Sequence, residues 1–190
     1  EIVKLLISAD VDVHAKDDYG ANALHYASGS NLEIVKLLLS EGMDVNVGDN
    51  AGQTALYCAC ARGQIEIVKL LISAHADIDA QDSQGRTAFH RAGSNIEIVE
   101  LLISAGVNIN VENEEGEIAF ETEDWEYAWQ NYSQEEKVRI GIKICLKYQI
   151  SPPEFLELML PMSPEMSESE ENEFILQINN SLQRKSARKQ

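Results

Sequence analysis

One phrase recurs four times and constrains this chain more than any other feature: Glu-Ile-Val, one further residue, then two leucines. The copies start at Glu1, Glu33, Glu66 and Glu97, so the glutamates are 32, 33 and 31 residues apart. Self-similarity at such a period marks an architecture built from stacked units. Within each copy the apolar residues fall at i, i+1, i+3 and i+4, as in Ile67, Val68, Leu70 and Leu71. On a helix that is a broad stripe, too wide for one neighbour to cover. A unit on each side covers it, and the next repeat supplies one. Leu70, at the centre of the array, is expected to be buried between repeats.

Between the copies the sequence keeps a fixed order. Alternating apolar and Asp/Asn residues follow each second helix, as in His75-Ala76-Asp77-Ile78-Asp79-Ala80. They suit a short extended segment leading into a turn. The turns themselves read Asp17-Asp18-Tyr19-Gly20, Asp49-Asn50-Ala51-Gly52 and Asp82-Ser83-Gln84-Gly85, each closing on a residue that tolerates positive φ. A first helix is then expected from Asn22-Ala23-Leu24-His25-Tyr26-Ala27, Thr54-Ala55-Leu56-Tyr57-Cys58-Ala59 and Thr87-Ala88-Phe89-His90-Arg91-Ala92.

These six-residue runs resemble the Thr-Pro-Leu-His-x-Ala motif of ankyrin repeats. With the Glu-Ile-Val phrases and the Asp/Asn turns, the resemblance covers residues 1–113. It implies an all-α ankyrin-repeat solenoid, with helix–loop–helix units stacked in a curve and hairpin tips along one edge. The units read as a truncated repeat at 1–15 and repeats at 16–48, 49–81 and 82–113. The start inside a repeat reads as a cut, with room for an upstream targeting segment. Two departures stand out. Ala replaces Pro in every first helix, removing its stiff start. Asp10 and His75 replace the Gly that ends a second helix, weakening the cap.

The repeats differ in length. Nine residues separate Tyr57 from Glu66, eight separate His25 from Glu33, and seven separate His90 from Glu97. Both shortened copies carry Gly-Ser-Asn, with Asn31 and Asn95 placed to cap the second helices. Their first helices are expected to end early and leave notches on the face they line.

After residue 113 the pattern decays. A degenerate repeat or cap is expected at 114–133, where Trp125, Ala128, Trp129 and Tyr132 form one helical stripe that would seal the stack. A helical C-terminal extension follows at 134–190. Ser133 with Glu136 makes a capping box for a helix near 134–149, although Val138–Ile150 also alternates as a strand would. A short helix is expected from Pro152, a Pro- and acid-rich linker at 161–171, a last helix at 171–183, and a disordered basic tail from Arg184.

Nothing in the sequence points to catalysis, a cofactor or a metal. Cys58 and Cys60 are two apart and point roughly 200° from one another on a helix, so they cannot share an ion. Under the resemblance, His25 and His90 hydrogen-bond a neighbouring loop. The net charge of −17, split −9 and −8 between residues 1–113 and the remainder, speaks against nucleic acid. No apolar run approaches a membrane span. Three cysteines, an odd number, fit free thiols in an intracellular, cytoplasmic setting.

The expected function is that of a non-catalytic scaffold that binds another protein through tips and concave helix face. The alternatives are an adaptor whose C-terminal helices recruit a second complex, such as a ubiquitin ligase, or a fragment of a larger enzyme or channel. In the resembling family, contacts come from hairpin tips and exposed first-helix positions. Here these map to Asp18, Tyr19, Ala21, Tyr26, Asn50, Ala51, Gln53, Arg62, Ser83, Gln84, Arg86 and Arg91. Three of the seven bases in residues 1–113 fall in this set. A basic-aromatic patch is therefore expected, suited to an acidic or phosphorylated segment. The competing expectation is that these arginines pair with Asp49 and Asp82.

Overall fold

The structure is a computed structural model, and it describes residues 5, 9, 11–93, 95–159 and 167–187. Among these residues the architecture is all-α. The helices are α1 (Ala23–Ser28), α2 (Leu32–Ser40), α3 (Ala55–Ala61), α4 (Ile65–Ser73) and α5 (Ile96–Ala105). A 3-10 turn at Ala119–Glu121 then leads into α6 (Glu123–Asn131), α7 (Gln134–Tyr148), α8 (Pro152–Met159) and α9 (Glu168–Ala187). The only strand-like pairing among them is an isolated bridge between Glu112 and Ile118. Of the helix expected at 1–9, only Leu5 and Ala9 are described, joined by an Ala9 N–H to Leu5 C=O bond of 3.0 Å. The rest of that stretch and residues 160–166 lie outside the described residues.

Side-chain caps do the work that Pro would have done at the first helices. Asn22 accepts from the Leu24 and His25 amides at 3.0 and 3.3 Å, and Thr54 accepts from Tyr57 at 3.3 Å. Asn31 and Asn95 cap α2 and α5 as the Gly-Ser-Asn runs implied, accepting from Ile34 at 3.1 Å and from Glu97 and Ile98 at 3.1 and 3.2 Å.

The third first helix does not form. Residues 87–92 make successive i→i+3 bonds of 3.1 to 3.2 Å instead, from His90 to Thr87, Arg91 to Ala88 and Ala92 to Phe89. With the shortest linker of the three, this segment has no room for a full α-turn before Asn95 must cap α5. The expected notches are filled. A Cβ on Gly29 would come within 2.6 Å of the Arg62 guanidinium, and one on Gly93 within 3.0 Å of the Trp125 ring. The missing side chains are replaced by groups from the following repeat.

The stripes meet as the periodicity requires: α2 lies against α4, and α4 against α5. Val35, Leu38, Ile67, Val68, Leu71, Ile98, Val99 and Leu102 are buried. Leu70 is not. It is half-buried, because the side chains of Leu70 and Leu71 diverge by about 100° and the neighbouring helices close over Leu71.

The stack does not stop at α5. Trp125 is fully buried against Phe89 and Phe120, with ring centroids 4.9 and 4.8 Å away, and its indole N–H donates to the Phe89 carbonyl at 3.0 Å. Trp129 is buried as well, and Phe155 of α8 packs on it. The tryptophan stripe thus seals the repeats and is itself covered.

The capping box forms at Ser133 and Glu136, and α7 is a helix, not a strand. It lies along α5, holding Glu100 with Arg139 at 2.8 Å and Lys143 at 3.3 Å. Lys147 donates to the Ser104 carbonyl at 3.1 Å, and the Tyr148 hydroxyl donates to that of Val107. α8 and α9 pack on α7. Phe155 and Ile178 close over Gly141, where a Cβ would meet them at 2.8 and 2.6 Å. α9 is longer than expected: its N-terminus takes in Glu168–Glu171 of the acidic stretch, with Ser167 and Glu170 forming a capping box. Its C-terminus carries 184–187 of the expected disordered tail as helix.

Two measurements test this account. Leu71→Ala should cost about 2–5 kcal/mol in urea unfolding, while Leu70→Ala costs less than about 2 kcal/mol. Equal losses would contradict the packing. His75, exposed and non-glycine, sits at φ 63° after α4, where Gly106 after α5 has φ 96°. His75→Gly should therefore raise stability by about 1 kcal/mol, seen as a higher urea midpoint.

Candidate partner-binding surface

The tips share one local design. The residue that opens each turn accepts two backbone amides on one side-chain oxygen. Asp17 takes Tyr19 and Ala21 at 3.0 and 2.9 Å, and Asp49 takes Ala51 and Gln53 at 2.9 Å each. Asp82 takes Gln84 and Arg86, and Asn113 takes Glu115 and Glu117, all at 2.9 Å. A glycine at φ 74–79° closes each turn: Gly20, Gly52, Gly85 and Gly116.

The tips are also tied to one another. Asn50 N–H donates to Tyr19 C=O at 2.9 Å, Ser83 to Ala51 at 2.7 Å and Glu114 to Gln84 at 2.9 Å. Asp18, Tyr19, Asn50, Ala51, Ser83 and Gln84 therefore lie in one hydrogen-bonded row. Ala21, Gln53 and Arg86 follow the tip glycines. His25 ties tip to helix: its Nε2 donates to the Gln53 carbonyl at 3.0 Å, and its Nδ1 accepts the Asn22 amide at 3.2 Å. His90 repeats the arrangement. Its Nδ1 meets the Thr87 amide and hydroxyl at 3.1 and 2.9 Å, and its Nε2 faces the Glu117 carbonyl without closing a full hydrogen bond.

Two tyrosines stand out from this frame. Tyr19 is 76% exposed and Tyr26 59% exposed. The Tyr26 hydroxyl donates to Asp17, a bond that holds the Asp17 carboxyl below its ordinary range.

The three arginines do not form one open patch. Arg62 lies back over Gly29. Arg86 grips the Oδ2 of buried Asp82 through Nε and Nη2 at 3.0 and 2.8 Å and lies over the Tyr57 ring, 6.0 Å from its centroid. Burial pushes the Asp82 carboxyl up, but this grip and the two amides outweigh it and bring its pKa below the ordinary value. Burial raises the Tyr57 phenol to about 12. Arg91 is paired with Asp124 of α6. Of the expected pairings, that with Asp82 is present; the partner of Arg91 comes from the next unit, whose register the decaying pattern hid.

Beside the expected residues stand others that the sequence reading assigned only to a cap. Arg86, Arg91, Glu114, Glu115, Glu117 and Glu123 line a concavity of about 280 Å³ between the third tip and α6. Arg91, Gly93, Ala61 and Tyr127 line a second, of about 400 Å³, on the other side of the Arg91–Asp124 pair. Tyr127 is 72% exposed. Its signal was present in the sequence: a large aromatic opposite the buried face of a helix whose other aromatics are all spent on packing.

The cysteines behave as packing residues. All three are free thiols, and burial raises the pKa of Cys58, of Cys60 far more, and of Cys145 to about 11. Among the described residues no three His, Cys, Asp or Glu side chains converge as a metal site would need. No helix among them is long and apolar enough to cross a membrane.

Residues 1–82 and 46–113 match the family model described as ankyrin repeats (3 copies). The match spans more than half of the 190 residues, and with the stacked helix pairs and linked tips it places this chain in the ankyrin-repeat family. Ankyrin repeats are in general protein–protein interaction modules and are typically non-catalytic. A comparison with curated proteins finds no match.

The frame carries a pH dependence. Burial, opposed by the loop carbonyls and by nearby Asp49, lowers the His25 pKa below 6.5. The same holds for His90, with Asp82 and Glu117 opposing and Arg86 assisting. The unfolded chain takes up protons near 6.5 that the folded chain resists, so stability is full above that value and falls as pH drops below it. Urea unfolding from about pH 7.5 to about pH 5.5 should show this loss, and His25→Gln with His90→Gln should flatten the slope.

Proposed function

We propose that this protein is a non-catalytic scaffold that binds a partner protein along the tips and the first-helix face. One observation carries the reading: Tyr19 is exposed on a backbone row that is hydrogen-bonded from tip to tip, and Tyr26, exposed on the adjoining helix, is tied by its hydroxyl to Asp17 at the start of that tip. An isolated mobile loop would lose entropy on binding; a pre-linked row loses little. Tyrosine offers large contact area with few rotatable bonds and is enriched among residues that dominate interfaces. A partner bearing a carboxylate or phosphate would have to displace Asp124 to reach Arg91 or Asp82 to reach Arg86, whereas Arg62 is exposed and makes no ion pair among the described residues.

A second reading is favoured by a separate observation. Leu146 on α7 and Leu176 on α9 are 55% and 57% exposed, away from the tips. They support an adaptor whose C-terminal helices recruit a second complex. Affinity capture with the full chain separates the two. Tyr19→Ser with Tyr26→Ser should remove partners held by the tips, and Leu146→Ser with Leu176→Ser should remove those held by the helices. Each exposed substitution should leave the melting temperature within about 2 °C. A partner set unchanged by the tyrosine pair would overturn the tip-face reading.

A further inference from the structure

The two concavities beside Arg91 share Glu123 and Asp124, so they form one groove with the Arg91–Asp124 pair as the ridge between them. Five carboxylates line it, from Glu114, Glu115, Glu117, Glu123 and Asp124, against two guanidiniums. Both guanidiniums are already neutralised inside the molecule, Arg86 by Asp82 and Arg91 by Asp124. Among the described residues Glu114, Glu115 and Glu123 make no ion pair and are exposed. The charge on offer to a ligand is therefore negative, although two of the seven bases of residues 1–113 stand in the groove.

The second half of the groove adds an aromatic face. Tyr127 stands one helical turn beyond Glu123 on α6, so ring and carboxylate lie on the same side of the helix. The 400 Å³ concavity opens between them and the repeat side, where Ala61, Gly93 and Arg91 line it. A carboxylate beside an exposed ring is the setting in which a guanidinium or ammonium gains both an ion pair and a cation–π contact. Glutamates at one end and a ring with a carboxylate at the other set two places for cationic side chains along one extended path.

We propose that this groove receives an extended partner segment bearing Arg or Lys side chains, one against Tyr127 and Glu123, another against Glu114 and Glu115. It rests on the reading that the tip face binds protein, and adds the partner's chemistry at its third-repeat end. Arg91 and Asp124 stay paired as the ridge and need not part.

Labelled pools of ~12-residue peptides, long enough to span a groove of this kind, test it against the full chain. One pool is rich in Arg and Lys, one in Glu and phosphoserine, and one is neutral. The basic pool should bind, with affinity falling steeply between about 50 mM and about 300 mM salt. Tyr127→Ala and Glu123→Gln should each weaken it about threefold to tenfold. Glu114→Lys with Glu115→Lys should weaken it further, while Glu157→Lys on α8 changes nothing. Circular dichroism melting confirms that each variant is folded. Basic-pool binding that ignores the groove variants would mean bulk attraction to a chain of net charge −17 and would overturn the proposal. Preference for the phosphoserine pool, lost on Tyr19→Ser, would overturn it while leaving the tip-face reading intact. Failure of every pool, with a captured protein partner cross-linking elsewhere, would sink both.

Discussion

Every helix pair in this protein depends on one constraint: an apolar stripe too broad for a single neighbour. α4 meets it with α2 on one side and α5 on the other. α5 poses the problem again, because Ile98, Val99, Leu102 and Ile103 are all buried and no fifth Glu-Ile-Val phrase follows. The chain solves it with a helix of different sequence. α7 lies along α5, and its own second face calls for α8 and α9, which close over Gly141. The C-terminal helices are therefore continuous with the repeats through packing, not attached beside them.

The handover from repeats to extension is marked by one charge. Lys4, Lys36 and Lys69 occupy the fourth position of the phrase, and Glu100 replaces them in the last copy. Lys36 and Lys69 reach back to Glu33 and Glu66 at 2.8 and 2.6 Å on open surface, where such pairs contribute little. Glu100 is 15% exposed and takes Arg139 and Lys143 across the interface. A lysine there would set like charges against each other at the point where α7 docks. The inversion was legible as a break in the repeat, but its meaning needed the partner helix.

The same substitution of one unit's groups into another's space recurs on the binding face. The shortened copies leave glycines where a longer first helix would carry side chains. Arg62 covers Gly29 and Trp125 covers Gly93. Arg91, in a segment that never becomes helix, turns to Asp124 of α6. Arg86 and Arg91, which look available in the sequence, are thus paired within the stack, and the groove they line takes its character from the carboxylates and ring left over. At the first full repeat the balance differs: Asp17 takes the turn amides on one oxygen and the Tyr26 hydroxyl on the other, and the rings of Tyr19 and Tyr26 stay exposed to a partner.

The sequence by itself determined the local and periodic features. The four-fold phrase, the Asp-to-Gly turns, the Asn31, Asn95 and Ser133 caps and the burial of Trp125 and Trp129 all follow from interactions that span a few residues or repeat at a fixed interval. Such interactions are written in one stretch of chain. Tertiary structure alone decided which leucine of a pair is buried, that residues 87–92 remain a turn, that the last helix runs to Ala187, and which carboxylates neutralise Arg91 and Arg139. These depend on what arrives from 30 to 40 residues away, where helix rotation and register set the contact. Residue spacing gives the direction of a side chain on its own helix, but not the identity of the group that meets it.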